Sequence, residues 1–354
     1  MDLTRNEQII VSDPATNDGF TGWNEFVLAQ PVVNPFHLAQ WHEILNHVFQ
    51  VQPLYRMGCD ATGRILGIVP AYFASGLFAT PQVATLDGGI LSADQRVADS
   101  LHAELSLSAG NLGARHVMLK GGAAATGEAV GGSVFSKRIY PVVDLSAGVD
   151  FVTQRLNKKM RYQIKKSQAL GLEAVQADQV PHSFYAIFAR TQRDLGTPVV
   201  SRKFFDSMNA VLSPLLNFTG LMHHGRLVAG LVGVSLGDTY YSLYAATDRE
   251  YQHNYANYLL YLRVMEWACE RQLGKFNMGR SSPGTGAYRY KTKWRPVDIE
   301  ALYRCDFVTR RNRPKDSAIL EPASNSIAVK VWKRMPLTVT NVLGPSLRSR
   351  LPFG

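Results

Sequence analysis

Residues 276–294 read FNMGRSSPGTGAYRYKTKW, and no other stretch of the chain says more about its fold. The spacing of Gly279 and Gly284 matches the start of a Walker A loop, but the lysine that should follow the second glycine is missing. A G-x-G-x-x-G dinucleotide fingerprint is absent as well. The glycines therefore indicate a substrate loop in which the backbone approaches a ligand closely, with Arg280 and Ser281 as hydrogen-bond donors.

The residues after this loop carry more chemistry. An extended chain would put Tyr288 and Tyr290 on one face and Lys291 on the other, whereas a helix would put Tyr288, Lys291 and Arg295 on one face. In both cases a lysine stands beside aromatic rings and a glycine loop. Such a lysine can stabilise the oxyanion of an acyl transfer. A simpler alternative is a solvated cationic edge whose aromatic side chains pack inward.

Upstream of this stretch, periodicity predicts an α+β organisation that occurs twice. In the first half we expect helices over 36–49 and 93–107 and strands over 55–59, 64–73 and 114–119. In the second half we expect helices over 149–170, 183–195 and 255–273 and strands over 140–145, 172–175, 218–223, 227–235, 239–246 and 275–278. A duplicated unit is the economical interpretation, and the nearly all-apolar helix 255–273 should be buried against the second sheet.

Composition limits the class of protein. The 354 residues, 46% of them apolar, favour two domains. Three widely spaced cysteines predict neither a disulfide framework nor a zinc site, and no other metal site is expected. The N-terminal segment lacks the pattern of a signal peptide, and no apolar run is long enough to cross a bilayer, so we expect a cytoplasmic protein.

The formal net charge of +10 favours an anionic partner. Much of this charge lies in 310–354, which contains nine Lys and Arg residues but two acidic residues. The apolar and basic segment 327–337, which contains Trp332, predicts peripheral contact with the inner membrane. Packing of Trp332 onto the domain is the alternative.

The predicted helix 149–170 supplies a second cationic surface. Its apolar residues Val152, Leu156, Met160 and Ile164 recur every four positions, and the opposite side is cationic, including Lys158 and Arg161. This face can bind a tRNA backbone or a polyprenyl-pyrophosphate head group, or it can simply be solvated.

Together with 276–294, the segments 253–261 (HNYANYLLY) and 156–161 (LNKKMR) resemble FemAB-related acyltransferases of the GNAT superfamily. Within that family these segments resemble the subgroup associated with the exosortase/PEP-CTERM system, which the tail segment 331–337 (VWKRMPL) also resembles. The resemblance implies tandem GNAT-like domains, each with a mixed, mostly antiparallel sheet flanked by helices. We expect an N-terminal domain at 1–139, a C-terminal domain at 140–308 and a basic tail at 309–354.

The resemblance further implies transfer of an acyl or aminoacyl group to an amine or hydroxyl of a cell-envelope or exopolysaccharide precursor, either free or lipid-linked. Lys291 matches the lysine of the family's Phe-Lys motif, with Tyr290 in place of the Phe and Arg295 where a Gly often follows the Trp. The donor is either acyl-CoA or aminoacyl-tRNA. The segment 249–256 lacks the glycine with which ordinary GNAT enzymes hold the CoA pyrophosphate at a helix start.

The predicted site residues fall into two groups. The catalytic candidates are Lys291 and His253; the substrate-binding candidates are Arg280, Ser281, Tyr288, Tyr290, Lys158, Arg161 and Asn257. His253 can serve as a general base, with Asp248 and Glu250 as rivals, although helix capping is an alternative role for all three. Water can also relay the proton, which would make a dedicated base unnecessary. The rival function is a non-catalytic GNAT-like module that binds anionic precursors or RNA.

Overall fold

A computed structural model describes residues 9–15, 19–49, 51–76, 79–122, 133–308 and 327–349 of the chain. They form two compact units. The first consists of the described residues within Met1–Lys137, Ala301–Ala323 and Ser346–Gly354, and the second of those within Arg138–Glu300 and Ser324–Pro345.

The first unit contains two sheets and three helices. Its elements are β1 (Ile10–Ser12), α1 (Trp23–Leu28), α2 (Gln40–Val48), β2 (Gln52–Pro53), β3 (Arg56–Cys59), β4 (Ile65–Val69), β5 (Ala71–Gly76), β6 (Ala79–Thr85), β7 (Leu91–Ser92), α3 (Gln95–Asn111) and β8 (His116–Lys120). One antiparallel sheet has the order β1-β3-β4-β7, and the other contains β2-β5-β6-β8. In the second sheet β6 and β8 run parallel, and α3 lies between them in sequence. The apolar face of α3 packs in the core of this unit.

The second unit has one mixed sheet covered by helices. Its elements begin with β9 (Val134–Asp144), α4 (Gly148–Gln154), α5 (Lys158–Gln168), β10 (Glu173–Ala177), α6 (His182–Leu195), α7 (Arg202–Val211), β11 (Leu216–His223), β12 (Arg226–Leu236) and β13 (Thr239–Thr247). They continue with α8 (Arg249–Gln252), α9 (Ala256–Glu270), β14 (Lys275–Asn277), α10 (Gly286–Lys291), α11 (Ile327–Arg334) and α12 (Leu337–Arg348). Strand β15 (Val297–Phe307) begins in this unit, but from Ala301 onward its residues belong to the first unit, as do the last three residues of α12. The strand order is β10-β11-β12-β13-β14-β9. Neighbouring strands are antiparallel except β13 and β14, which are parallel and connected through α9.

The central helix α9 is buried, as its composition predicts. Nine of its fifteen residues are buried, and they form one core cluster with side chains from α4, α5 and the strands. Burying an apolar side chain of this size contributes about 1.5–3 kcal/mol, so α9 supplies much of the unit's packing energy.

The predicted helix 149–170 is in fact two helices. Asn157 adopts an extended conformation, and its Oδ1 accepts a hydrogen bond from the Met160 N–H at 2.8 Å, which caps α5. The prediction of one continuous helix was therefore wrong, because a capping asparagine interrupts the apolar repeat. The stripe itself is confirmed, since Val152, Leu156, Met160 and Ile164 are all buried.

The α+β prediction is confirmed, and each unit places a helix between two parallel strands. The sequence did not reveal β6, α7 or the strand direction within each pair. No helix in the described part of the chain combines the length and hydropathy that a bilayer-spanning segment requires.

Candidate active site

The candidate site begins where two parallel strands part. The pairing of β13 with β14 ends at Tyr241 and Asn277, although β13 continues to Thr247. After Asn277 the chain stays beside β9, with which β14 is already paired, and Ser281 exchanges two backbone hydrogen bonds with Ile139. Beyond Tyr241 and Asn277 the two strands are therefore no longer paired, and we call this divergence the opening between β13 and β14.

The first glycine of the loop has a steric function. Gly279 has a φ of 76°, and its N–H donates to Oδ1 of Asn277 at 2.9 Å. A Cβ atom on Gly279 would lie 2.7 Å from the carbonyl oxygen of Ser242 on β13. Glycine is thus required here by both the left-handed backbone and the close approach of the two chains.

Lys291 lies at the end of α10 and reaches back to this loop. Its side chain is buried, with the residue 8% exposed, and Nζ donates to the carbonyl oxygens of Gly279 at 2.8 Å and Arg280 at 3.1 Å. An ammonium group has three N–H donors, and the third has no partner among the described residues. Burial, and then the positive charge of Arg280, lower the pKa of Lys291 to about 7.

The helical alternative for the aromatic and cationic segment is the one that forms. Thr285 caps α10, because its Oγ1 accepts from the Tyr288 N–H. The Tyr288 hydroxyl donates to the Asp298 carboxylate, and this hydrogen bond raises the pKa of Tyr288. This hydrogen bond joins α10 to the start of β15.

Tyr290 belongs to an aromatic wall behind Lys291. Its hydroxyl donates to the carbonyl oxygen of Asn257 at 3.1 Å, and its ring lies 5.1 Å from that of Tyr258 and 5.4 Å from that of Tyr261. Burial raises the pKa of Tyr290 well above its ordinary value. The tyrosine therefore stays neutral and contributes shape and low polarity to the site.

Ser281 adds an unsatisfied polar atom next to the carbonyls that hold Lys291. The residue is buried, and its Oγ has no hydrogen-bond partner in the part of the chain that the structure describes. An unpaired buried hydroxyl costs about 1–3 kcal/mol. Such a cost is common at sites where a ligand or a water molecule completes the hydrogen bonding.

The structure gives no contact between His253 and this cluster. His253 follows α8, and its side chain is exposed. Its rival Asp248 is buried and paired with Arg226 and, at 3.6 Å, with Arg190. Asp248 therefore neutralises arginines, a pairing that sequence spacing does not indicate because both partners lie far away in the chain.

Lys158 and Arg161 also lie outside the cluster. Both side chains are exposed on α5, and the Arg161 guanidinium donates to the Gln154 carbonyl oxygen at 2.9 Å. Arg161 lines a cavity of about 270 Å³ together with Asp150 and Glu266. These acidic neighbours make that cavity a poor anion site.

Comparison with known proteins identifies the architecture. Residues 154–292 match the family model described as the acetyltransferase (GNAT) domain. The solved structure of FemX superposes with a TM-score of 0.63 at 10% identity, covering 84% of this chain and 96% of that one. The chain has a tandem GNAT fold.

Two further solved structures that cover most of this chain have a similar fold. The C-terminal domain of a lysylphosphatidylglycerol synthetase from Agrobacterium fabrum gives a TM-score of 0.58 at 12% identity, covering 87% of this chain and 95% of that domain. A tandem GNAT protein from the clavulanic acid pathway gives 0.55 at 11% identity, covering 88% of this chain and all of that one. A search of curated protein sequences found no significant match.

Proposed function

We propose that the second unit transfers an acyl or aminoacyl group to an amine or hydroxyl of a cell-envelope or exopolysaccharide precursor. The observation that carries this proposal is the Lys291 ammonium, which two carbonyl oxygens hold while its third N–H has no partner among the described residues. It lies beside the opening between β13 and β14, within the region that matches the GNAT domain. A preorganised donor in a poorly solvated site is what an acyl transfer needs to stabilise charge on oxygen.

The transfer proceeds by direct attack. The lone pair of the acceptor nitrogen or oxygen forms a bond to the acyl carbon, and the carbonyl π electrons move to its oxygen. The third N–H of Lys291 donates to this oxyanion. When the C=O bond re-forms, the bond to the donor breaks, the leaving sulfur or oxygen takes up a proton, and the attacking atom releases its proton to water.

The donor is acyl-CoA or aminoacyl-tRNA, and both carry phosphates. Helix α9 starts after Tyr255, which has a φ of 64° and forms no side-chain cap. The N–H groups of the first turn are thus not occupied by a capping side chain and suit a phosphate, as at other helix starts. Tyr255 adopts a left-handed conformation that glycine adopts at lower cost. The backbone before α9 therefore has the turn of a phosphate-binding loop, although the residue there is not a glycine.

The acceptor is expected to contact the rim of the site. Arg280, Ser281 and Tyr288 supply polar groups there, and Tyr290 with Asn257 closes the wall behind it. We further propose membership in the exosortase/PEP-CTERM-associated subgroup, on the strength of the motifs at 156–161 and 331–337. On this proposal the acceptor is an exopolysaccharide precursor, free or lipid-linked.

The rival proposal is a non-catalytic module that binds RNA or an anionic precursor. It is favoured by the solvent-facing side of α4 and α5, where Phe151 and Tyr162 are exposed among cations. Exposed aromatic rings between cations are typical of surfaces that bind single-stranded nucleic acid.

The decisive experiment is mass spectrometry of ligands that co-purify with the full chain, followed by transfer assays with the donor class found. We expect a CoA species or charged tRNA, and transfer to an amine- or hydroxyl-bearing precursor. Tight binding of one donor without transfer across a panel of acyl-CoAs, aminoacyl-tRNAs and acceptors would instead support the binding module.

A further inference from the structure

Helix α12 turns its apolar side to solvent. Val339, Val342 and Leu343 are exposed, Val342 by as much as 75%. The residues that face inward are Thr340 and Gly344, and a Cβ atom on Gly344 would lie 2.9 Å from the Val199 side chain. A surface helix normally buries its apolar stripe, so this orientation is the reverse of the usual one.

Helix α11 packs onto the domain with one face and exposes the opposite face to solvent. Trp332 is buried, so the alternative in which it packs onto the domain is correct. A Cβ atom on Gly196 would lie 2.5 Å from Val329, which shows that α11 packs tightly against the end of α6. On the opposite side of α11, Ile327 and Val331 are exposed together with cations.

The outward residues of the two helices define what we call the tail surface. It consists of Ile327, Lys330, Val331, Arg334, Val339, Val342 and Leu343. Across 327–349 the chain has four cationic side chains and no Asp or Glu. The tail surface therefore combines exposed apolar side chains with positive charges.

This combination decides among the partners that could cover the apolar residues. A second copy of the chain would bring the same positive charges to the contact, and like charges oppose such an association. An anionic lipid surface meets both requirements, since aliphatic side chains enter the headgroup region and cations pair with the phosphates.

We propose that α11 and α12 dock the protein peripherally on an anionic lipid bilayer. The helices lie in the plane of the interface, with the valine and leucine side chains inserted and with Lys330 and Arg334 at the headgroups. Trp332 takes no part, because it belongs to the core of the second unit.

Flotation of the full chain with vesicles tests this docking. The protein should float with vesicles of phosphatidylglycerol and phosphatidylcholine in equal amounts, but not with vesicles of phosphatidylcholine alone. The variant Lys330→Gln/Arg334→Gln should bind the mixed vesicles roughly 30-fold more weakly, because each cation near an anionic surface contributes about a factor of five. The variant Val339→Ser/Val342→Ser/Leu343→Ser should bind at least about 10-fold more weakly.

A matched control removes exposed apolar residues elsewhere. Val32→Ser/Leu107→Ser changes two side chains that are 76% and 63% exposed in the first unit, and it should float like the unmodified protein. Equal flotation of the triple-serine variant and the unmodified protein would overturn the proposal. So would a dimer in lipid-free solution that the triple-serine substitution abolishes, because a second copy would then cover these residues. Circular dichroism spectra that match the unmodified protein's would show that each variant is folded.

Discussion

Two parallel strand pairs in the described part of the chain, β6 with β8 and β13 with β14, end in opposite ways. In the first unit the pairing continues past the strands: the Lys120 N–H donates to Oγ1 of Thr85, and the Gly88 N–H donates to the Lys120 carbonyl oxygen, both at 2.9 Å. A further bridge joins Ile90 to Gly122. In the second unit the pairing of β13 with β14 stops, and the chain after β14 stays beside β9 alone.

On our proposal, this difference separates a structural role in the first unit from a catalytic role in the second. The carboxyl end of β6 and β8 is closed by backbone hydrogen bonds, so it stabilises the first unit. The carboxyl end of β13 and β14 is open, and Lys291 is held beside it. On our proposal chemistry takes place only at the open end.

The largest expected effect comes from the open end. Replacing Lys291 with Ala removes the oxyanion donor and should lower kcat by about 10²–10³-fold, the usual loss for such a donor. Steady-state kinetics with the identified donor and acceptor measure it. Arg289→Ala serves as the matched control, since it removes an exposed cation from the same helix and should leave kcat unchanged. Full turnover by Lys291→Ala would refute the assigned role.

A substitution at the closed end should affect stability alone. Gly89 has a φ of 64°, and a Cβ atom there would lie 1.9 Å from the Gly121 carbonyl oxygen. Gly89→Ala should therefore destabilise the protein by about 3 kcal/mol or more, measured by chemical unfolding. Gly113→Ala separates backbone strain from steric clash, because Gly113 has a similar φ of 67° but open space around it; it should cost only about 1 kcal/mol. Equal losses in the two variants would contradict the tight closure.

The pH dependence of kcat should report on the protonation of Lys291 at the open end. Because the ammonium form of Lys291 donates to the oxyanion, kcat should fall as pH rises through about 7. Lys291→Arg keeps its charge throughout and should lose this alkaline fall, whatever its absolute rate. A pH profile of Lys291→Arg that still falls near pH 7 would assign the titration to another group.

The same pKa has a consequence for stability. In the folded state the pKa of Lys291 is depressed, so the unfolded chain binds more protons between about pH 7 and the ordinary lysine pKa of 10.5. The free energy of unfolding should therefore rise with pH across this window, and Lys291→Met should remove that part of the rise.

The smallest expected effect concerns Arg295, which follows the site. It has a φ of 57°, a left-handed conformation that favours glycine. Arg295→Gly should stabilise the protein by about 0.5 kcal/mol, since relief of strain exceeds the added chain entropy of glycine. Arg295→Ala removes the charge but keeps the strain, so it should bring no gain in Tm.

The sequence predicted the duplicated α+β order, the buried helix α9 and the apolar stripe of α4 and α5, because these follow from local periodicity. It did not predict the parallel pairing, since strand direction depends on contacts between distant segments. The break at Asn157 had a local signal, an asparagine three residues before the Met160 N–H that it caps. That signal was outweighed by the regular spacing of the apolar residues.

The site was predicted in part. Lys291 could be chosen from its neighbours in sequence, but its hydrogen bonds to the Gly279 and Arg280 carbonyls depend on a turn that only folding creates. The roles assigned to Arg280, Ser281, Tyr288 and Asn257 stay predictions. Residue type and family resemblance led to the choice of His253, Lys158 and Arg161. These two criteria do not indicate whether a side chain faces the opening or solvent.

The two carbonyl bonds of Lys291 have one more consequence. A neutral amine has two N–H groups, which are just enough to keep both bonds after the third proton leaves. Loss of that proton therefore replaces a donor by a lone pair without loosening the loop. Near neutral pH the same atom, in the same position, changes from a hydrogen-bond donor to an acceptor, so the opening should lose its preference for anionic oxygen as the pH rises.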